Sequence, residues 1–313
     1  MPLSNSQIIS LLSARLADKN LNANNPYRDL STENVLINAV LSLAGGIGAQ
    51  SNTYIWIGDS LAGSGVTTSD AANLDVIPGA KIWYKPDRFS LDNGRWEDYD
   101  GLKNSYPGGA YGTATPRILG PQHTFLKRII ALTGKNARLI KFSIGGTSLL
   151  TQTGTFTDWK KTNLEIYNSL FTSFIPPALR SIPAGETTTI KCIIINLGTN
   201  DTLASIYTSS FGAEMKTFIT DLRTDLNLPN LPVVLVKVRA DLNAVGTATG
   251  TRTSASSVRA DILNLINSGH GNYVTNLVLS EVDSYGVQAD GIHITEAGTM
   301  QQGIDIADLV SLY

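Results

Sequence analysis

The sequence predicts an α/β protein in which helices cover both faces of a mostly parallel sheet. Four short β-rich runs lack polar alternation, as strands buried on both faces do. These runs are residues 54–57, 139–142, 192–196 and 233–238. Helical patterns separate them, at about residues 121–134, 160–180, 210–226, 254–268 and 296–312. The alternation implies right-handed crossovers and therefore a three-layer α/β/α domain.

Two helices are predicted before the first strand. Apolar residues recur at helical spacing over residues 4–17, and a second apolar stretch over residues 35–43 ends at a glycine pair. We therefore expect residues 1–50 to form a helical N-terminal appendage and residues 51–313 to form the main domain. The appendage either packs on the main domain or mediates oligomerisation or assembly with a partner.

The segment between residues 70 and 120 is rich in Gly, Pro, Tyr and Trp. Residues 82–84 predict one strand within it. The rest is interpreted as a long ordered loop region beside the functional site, because structureless loops of this length in compact domains are usually functional.

Composition excludes several classes of partner. The chain has 313 residues, 42% of them hydrophobic, which is enough for one large core. Its 24 basic and 26 acidic residues create no strong field, so neither nucleic acid nor a membrane surface is expected as a partner. No apolar stretch approaches the roughly 20 residues that span a bilayer, and no signal peptide is visible. A charged fraction of only 16% is typical of extracellular or virion surfaces.

Cys192 is the single cysteine, so an intrachain disulfide is impossible. It stands in the apolar run at residues 190–197 and is predicted to be a small buried thiol rather than a reactive one.

Ser60 is the first candidate catalytic residue in the sequence. It stands in Gly58-Asp59-Ser60-Leu61, directly after the run at residues 54–57. Open α/β sheets bind ligands outside the carboxyl ends of their strands, and a glycine before the turn permits a tight backbone there. The serine hydroxyl would then project from the edge of the sheet at which the carboxyl ends of the strands lie. Taken alone, Gly-Asp-Ser is also a common turn tripeptide.

Two further strand ends carry hydrogen-bond donors, in the motifs Gly145-Gly146-Thr147-Ser148 and Gly198-Thr199-Asn200-Asp201. A backbone N–H at a glycine turn, the amide of Asn200 and the N–H of Ser60 can together form an oxyanion hole. The alternative interpretations are a plain glycine turn and an Asn-Asp helix cap.

His293 stands in Asp290-Gly291-Ile292-His293, just before a helix that Thr295 can cap. A neutral imidazole is the usual base for a serine nucleophile, and an aspartate on the same loop can hold its ring N–H. A surface turn or a metal-ligand pair would give the same pattern. Further His or Cys ligands at suitable spacing are missing, so no metal is expected.

The joint order of these four motifs resembles the SGNH/GDSL hydrolases, over about residues 53–313. Their blocks are a Gly-Asp-Ser that holds the nucleophile, a glycine, a Gly-x-Asn-Asp and an Asp-x-x-His. The resemblance implies a flavodoxin-like parallel sheet, the SGNH hydrolase fold, and an esterase without a cofactor. It makes Ser60 the nucleophile, His293 the general base and then acid, and Asp290 the orienting carboxylate.

The same resemblance assigns the oxyanion hole to Ser60, Gly145 and Asn200, with Gly146 as the alternate to Gly145. Gly145 is favoured because it stands first after the strand. The two neighbouring aspartates are interpreted as braces of their loops: Asp59 and Asp201.

A narrower similarity is to the carbohydrate acetylesterases related to sialate O-acetylesterases and acetylxylan esterases. It rests on Gly94-Arg95-Trp96-Glu97, Gly120-Pro121-Gln122 and Ile144-Gly145-Gly146-Thr147-Ser148, in that order. The chain departs from that subgroup at three places. Gln122 replaces a glutamate, Gly-Asp-Ser-Leu replaces Gly-Gln-Ser-Asn, and Leu-Gly-Thr replaces Gln-Gly-Glu.

The similarity implies an acetylated carbohydrate as substrate. Gln122 and the rings of Trp83, Trp96 and Trp159 are the candidate substrate contacts, and a buried aromatic is the alternative for each ring. The predicted activity is removal of O-acetyl groups through an acyl-enzyme. The alternatives are a lipase, lysophospholipase or thioesterase of the same superfamily, and a non-catalytic glycan-binding tail or surface protein.

Overall fold

The structure of the chain is a computed structural model. It describes residues 50–63, 66–67, 76–84, 94–100, 118–150, 158–162, 164–183, 186–203, 205–244, 246–247 and 250–313. The helices predicted over residues 4–17 and 35–43 lie outside the described residues, as does much of the predicted loop region between residues 70 and 120.

Seven strands form the central sheet of the described part. They are β1 (Gln50–Gly58), β2 (Val76–Tyr84), β3 (Arg95–Asp100), β4 (Asn136–Ser143), β5 (Thr187–Asn196), β6 (Val233–Val236) and β7 (Leu277–Ser280). Their spatial order is β7-β6-β5-β1-β4-β2-β3. All neighbouring pairs are parallel except β2 and β3, which run antiparallel. Two-residue antiparallel pairs join Val66–Thr67 to Ile118–Leu119 and Gly246–Thr247 to Gly250–Thr251.

Helices fill the connections between the strands, as the sequence predicts. Those described are α1 (Ser60–Gly63), α2 (Gln122–Thr133), α3 (Leu164–Ser169), α4 (Ile175–Arg180), α5 (Phe211–Asp225), α6 (Ala255–Asn264) and α7 (Glu296–Val310). A π-helical turn, Leu170–Phe174, joins α3 to α4. Thr295 caps α7 as predicted, since its hydroxyl accepts the N–H of Gly298 at 3.3 Å.

Successive side chains of β1 enter two separate cores, because strand residues point alternately to opposite faces. Ile55 and Ile57 pack in the core that α3, α4, α5 and α6 cover. Tyr54 and Trp56 pack on the other face, where both rings meet Phe125 of α2 edge-on at 5.2 and 5.4 Å. Helix α7 covers the same face. The three-layer α/β/α prediction is therefore confirmed.

Cys192 lies in the core beneath α2 and α7 and is fully buried. Burial raises the pKa of its thiol to about 12, so the thiolate is not populated near neutral pH. The prediction of a small buried thiol is confirmed.

Four strands show the main differences from the prediction. β2 begins at Val76, well before residue 82, and β6 ends at Val236 rather than at residue 238. β3 and β7 were not predicted as strands. β3 has the charged sequence RWEDYD and β7 has only four residues. Both lie at the edges of the sheet, where strands are short or polar and lack the apolar run of a central strand.

The parallel strands end at one common edge of the sheet. β1, β4, β5, β6 and β7 all have their carboxyl ends there, so the loops that follow them are neighbours in space. Ligands of open α/β sheets bind at this edge.

Candidate active site

Ser60 is the first residue of α1, and only Asp59 separates it from the end of β1. A Cβ on Gly58 would lie 2.2 Å from the carbonyl oxygen of Asn196, so only glycine allows β1 and β5 to approach this closely. That oxygen accepts the N–H of Asp59 at 2.9 Å, and the Asp59 carboxylate accepts the N–H of Leu61 at 2.9 Å. The resulting tight turn holds Ser60 at the carboxyl edge of the sheet.

The structure brings Ser60, His293 and Asp290 together. The Oγ of Ser60 lies 3.1 Å from Nε2 of His293, and Nδ1 of His293 lies 2.5 Å from Oδ2 of Asp290. With the proton on Nδ1, the imidazole donates to Asp290 and accepts from Ser60. The side chains of His293 and Asp290 are 28% and 44% exposed, so a ligand reaches them from solvent.

The carboxylate of Asp290 is held in its ionised form. Burial raises its pKa, but hydrogen bonds outweigh that effect and leave the pKa below its ordinary value. The donors are the ring of His293 and the backbone N–H groups of Ile292 and His293, which reach Oδ1 at 2.9 and 3.0 Å. Asp290 therefore keeps the negative charge that an imidazolium at His293 needs beside it.

The loop that carries Asp290 and His293 closes on itself. Gln288 donates its backbone N–H to the carbonyl of His293 at 2.7 Å and its side-chain amide to the carbonyl of Ile294 at 2.9 Å. Gly291 has a φ of 71°, a conformation that glycine adopts without strain. These bonds define the orientation of the ring of His293 toward Ser60.

Gly145 is the glycine that stands against Ser60. A Cβ built on Gly145 would lie 3.7 Å from the Cβ of Ser60, whereas one built on Gly146 would meet nothing within 4 Å. Gly146 has a φ of 79°, so it supplies the left-handed residue of the turn. Gly145 is therefore the glycine nearer to Ser60, and its role as the backbone donor remains a prediction.

Asn200 begins a 3₁₀ turn, Asn200–Thr202, just after β5. Its Nδ2 donates to the carbonyl oxygen of Thr147 at 2.8 Å, which ties the turn after β5 to the turn after β4. One N–H of that amide remains for a ligand, since an amide nitrogen carries two. Its role as an oxyanion donor remains a prediction.

Asp59 and Asp201 are both fully buried. Asp201 accepts the backbone N–H groups of Leu149 and Leu150 at 3.0 and 2.7 Å, and Asp59 accepts that of Leu61. Burial raises the pKa of each carboxyl to about 7. These contacts are those of loop braces, the function that the sequence predicts for both residues.

The predicted substrate contacts Trp83, Trp159 and Gln122 are wrong, because all three side chains are buried. A ring that stacks on a sugar must offer a face to solvent. The Oε1 of Gln122 instead accepts a hydrogen bond from the buried ammonium of Lys141 at 2.6 Å. Burial lowers the pKa of Lys141 to about 7, and the neutral amide of Gln122 supplies no opposing charge.

Trp96 is half-buried and is also committed to interior contacts. Its ring meets Trp83 edge-on at 5.5 Å, and its Nε1 donates to the carbonyl oxygen of Ala178 at 2.9 Å. The guanidinium of Arg138, near the amino end of β4, lies 5.0 Å from the ring centroid. Trp96 therefore makes interior contacts in the described part of the chain, and its role as a substrate contact remains a prediction.

Two buried arginines support the site, and neither was singled out from the sequence. Arg239, after β6, donates to the carbonyl oxygens of Gly291 and Ile292 at 3.4 Å each. Arg252 contacts the turn that holds Asn200. One sequence signal existed for Arg252, because it is the only charged residue between positions 241 and 259.

Within the described residues, no group of three or more His, Cys, Asp or Glu side chains is arranged to hold a metal ion. No helix in the same part of the chain is long and apolar enough to cross a membrane.

Comparison with known proteins agrees with this geometry. A family model described as "SASA: Carbohydrate esterase, sialic acid-specific acetylesterase" matches residues 52–311. No curated protein sequence matches the chain.

Two solved structures show the same fold at low sequence identity. A protein from Arabidopsis thaliana is 19% identical with a TM-score of 0.59, over 83% of this chain and 97% of that protein. A carbohydrate acetylesterase from Xanthomonas citri is 15% identical with a TM-score of 0.52, over 82% of this chain and 55% of that protein. The family match, which covers all of the sheet except the first two residues of β1 and includes the residues from Ser60 to His293, identifies the chain. It belongs to the carbohydrate esterase family of sialic acid-specific acetylesterases, hydrolases that remove O-acetyl groups from carbohydrates.

Proposed function

We propose that this chain hydrolyses O-acetyl esters of carbohydrates, sialic acids among them, through an acetyl-enzyme on Ser60. The observation that carries the proposal is the hydrogen-bond chain from Asp290 through His293 to Ser60, with distances of 2.5 and 3.1 Å. These are the contacts that an activated serine requires.

In the first half of the reaction, the Oγ of Ser60 attacks the acetyl carbonyl carbon while its proton passes to Nε2 of His293. The backbone N–H groups of Ser60 and Gly145 and the amide of Asn200 stabilise the negative charge on the former carbonyl oxygen. The bond to the sugar oxygen then breaks, and His293 returns the proton to that oxygen. A sugar hydroxyl leaves, and Ser60 carries the acetyl group.

In the second half, water attacks the acetyl carbon and gives its proton to Nε2 of His293. The bond to Ser60 breaks, the Oγ of Ser60 takes the proton back, and acetate leaves. Asp290 stays ionised in both halves and holds the imidazolium in place. The reaction needs only water as a co-reactant.

The test is acetate release from a chromogenic acetyl ester and from a panel of O-acetylated sialic acids and xylans, with Ser60→Ala as the matched variant. Removal of the hydroxyl is expected to reduce turnover to the background of a triad-less enzyme, a loss of about 10⁶ by analogy with serine proteases. An unchanged rate in Ser60→Ala would exclude Ser60 as the nucleophile.

The same assay separates the alternatives. A series of esters from acetyl to octanoyl distinguishes an acetylesterase from a lipase or thioesterase, because only the latter gain rate with chain length. Glycan binding without release of any acyl group would instead indicate an adhesive protein that retains the hydrolase fold.

We also propose an extracellular or virion-surface location, supported by the low charged fraction of the chain. Residues 1–50 are proposed as an appendage for oligomerisation or attachment, separate from a catalytic domain over residues 51–313.

A further inference from the structure

Arg252 is a buried cation whose described contacts lie on the turn after β5. Its side chain is nearly inaccessible, with 3% of the residue exposed. Nη1 donates to the carbonyl oxygen of Thr199 and to Oγ1 of Thr202, the latter at 3.2 Å. Nη2 reaches Oδ1 of Asn200 at 3.4 Å. Arg252 therefore contacts three residues of one short turn, and the middle contact is with the proposed oxyanion donor.

Two carboxylates of the site act electrostatically on the same guanidinium. Burial lowers the pKa of Arg252, and the negative charges of Asp59 and Asp290 act in the opposite direction. Asp59 precedes the nucleophile and Asp290 is the partner of His293. The hydrogen bonds of Arg252 lie on the turn of Asn200, and its electrostatic partners lie beside Ser60 and beside His293.

The contact with Arg252 defines which way the amide of Asn200 points. Its Nδ2 donates to Thr147 and its Oδ1 faces the guanidinium, which has only donors to offer. A flipped amide would place its NH₂ group against the guanidinium and its oxygen against the Thr147 carbonyl. Both contacts would then be repulsive. With Arg252 present, the amide nitrogen is held on the side of the Thr147 turn, which also carries Gly145.

We propose that Arg252 is a positioning residue of the esterase, which keeps the Asn200 amide oriented as an oxyanion donor without touching the substrate itself. The proposal rests on the proposed function. It predicts that Arg252 affects turnover mainly through Asn200.

A double-mutant cycle tests this coupling, with Arg252→Met, Asn200→Ala and the combined variant assayed for kcat and KM on a chromogenic acetyl ester. Asn200→Ala is expected to lower kcat by about 10²–10³, as loss of one oxyanion donor does. Arg252→Met is expected to lower kcat by about 10-fold or more with little change in KM, because the donor acts on the transition state. In the Asn200→Ala background, Arg252→Met is expected to have almost no further effect on kcat.

Arg223→Met is the matched control. Arg223 is another buried guanidinium that donates to backbone carbonyls, at Leu231 and Thr275. These acceptors lie outside the loops of the site. Arg223→Met is expected to lower the unfolding midpoint while kcat stays near the wild-type value. Comparison of the two variants therefore separates the general effect of removing a buried guanidinium from the specific effect of removing the contact with Asn200.

An equal effect of Arg252→Met with and without Asn200 would overturn the proposal, as would a folded Arg252→Met enzyme with unchanged kcat. If Arg252→Met does not fold, Arg252→Lys takes its place in the same cycle. Its ammonium keeps the charge but lacks the planar fork, so the same dependence on Asn200 is expected. Ser60→Ala is assayed alongside: activity in that variant would refute the proposed function, whereas additivity in the cycle refutes only the assignment of Arg252.

Discussion

The surroundings of two aspartates near Ser60 shift the pKa values of their carboxyl groups in opposite directions. Asp290 is partly exposed and receives three hydrogen bonds, so its pKa lies below the ordinary value. Asp59 is fully buried, and its Oδ2 has no hydrogen-bond partner among the described residues. Burial raises the pKa of Asp59 to about 7. One carboxyl group is therefore suited to hold a charge beside His293, and the other to brace a turn.

Asp290→Asn is expected to lower kcat by about 10⁴, because an amide stabilises the wrong tautomer of the imidazole, as in serine proteases. Steady-state kinetics on a chromogenic acetyl ester measure the effect. In the wild type, Asp290 remains ionised well below neutral pH, so its own protonation is not expected to limit activity there. A loss of less than 10-fold in Asp290→Asn would contradict the role of Asp290.

Asp59→Asn is expected to flatten the pH dependence of stability. In the unfolded chain Asp59 ionises near 3.8, whereas in the folded protein it keeps its proton up to about pH 7. Between these values the folded state binds more protons, so the contribution of Asp59 to the free energy of unfolding falls as the pH rises. Asparagine does not ionise, so Asp59→Asn removes this pH-dependent decrease in the free energy of unfolding. Its side-chain oxygen can still accept the N–H of Leu61.

Urea unfolding at pH 5 and pH 8 measures the change. Asp308→Asn serves as control, because that carboxylate is on the surface of α7 in an ion pair with Arg128. If Asp59→Asn were to lose as much stability between the two pH values as the wild type, Asp59 would not be the group responsible.

At the scale of elements, helix α7 begins just after the loop that carries Asp290 and His293 and extends across one face of the sheet. Its N-cap, Thr295, is two residues beyond His293. Along its length α7 packs on α2 at Gly303, where an added Cβ would lie 2.1 Å from the carbonyl oxygen of Pro121. The position of the imidazole thus depends on how closely these two helices approach each other.

Gly303→Ala is expected to lower the free energy of unfolding by about 1–3 kcal/mol, because the methyl group overpacks the contact between the helices. Gly271→Ala is the control, since a Cβ there meets nothing within 4 Å. Urea denaturation of both variants measures the difference. Equal stability of the two variants would show that the helices adjust without cost.

For the molecule as a whole, the sheet and the residues around Ser60 could be predicted, because their patterns are local. Central strands are continuous apolar runs, and each motif directly follows one of them. The edge strands β3 and β7 lack such a run. The burial of Trp83 was not predictable, because the sequence does not distinguish an aromatic residue that packs in a core from one whose exposed ring stacks on a sugar. The contacts of Arg252 depend on distant residues, so no motif indicates them.

Residues 1–50 provide a prediction at this largest scale. A chain that begins at residue 49 is expected to keep the kcat of the full chain, because β1 and all the proposed catalytic residues lie after that point. Light scattering on both chains measures the oligomeric state, and a smaller particle for the shortened chain would support assembly through the appendage. Loss of activity without a change in particle mass would contradict a separate catalytic domain.

The central position of β1 also determines when this protein can first become active. Ser60 and His293 are 233 residues apart, and β1 pairs with strands that begin only at Asn136 and Thr187. Contacts between such distant segments form slowly, because the loops between them must close first. During synthesis Ser60, the proposed nucleophile, emerges from the ribosome long before His293, its proposed base. With the proposed roles of Ser60 and His293, esterase activity is expected to appear only in the last stage of folding, once the loop that carries His293 has packed beside Ser60.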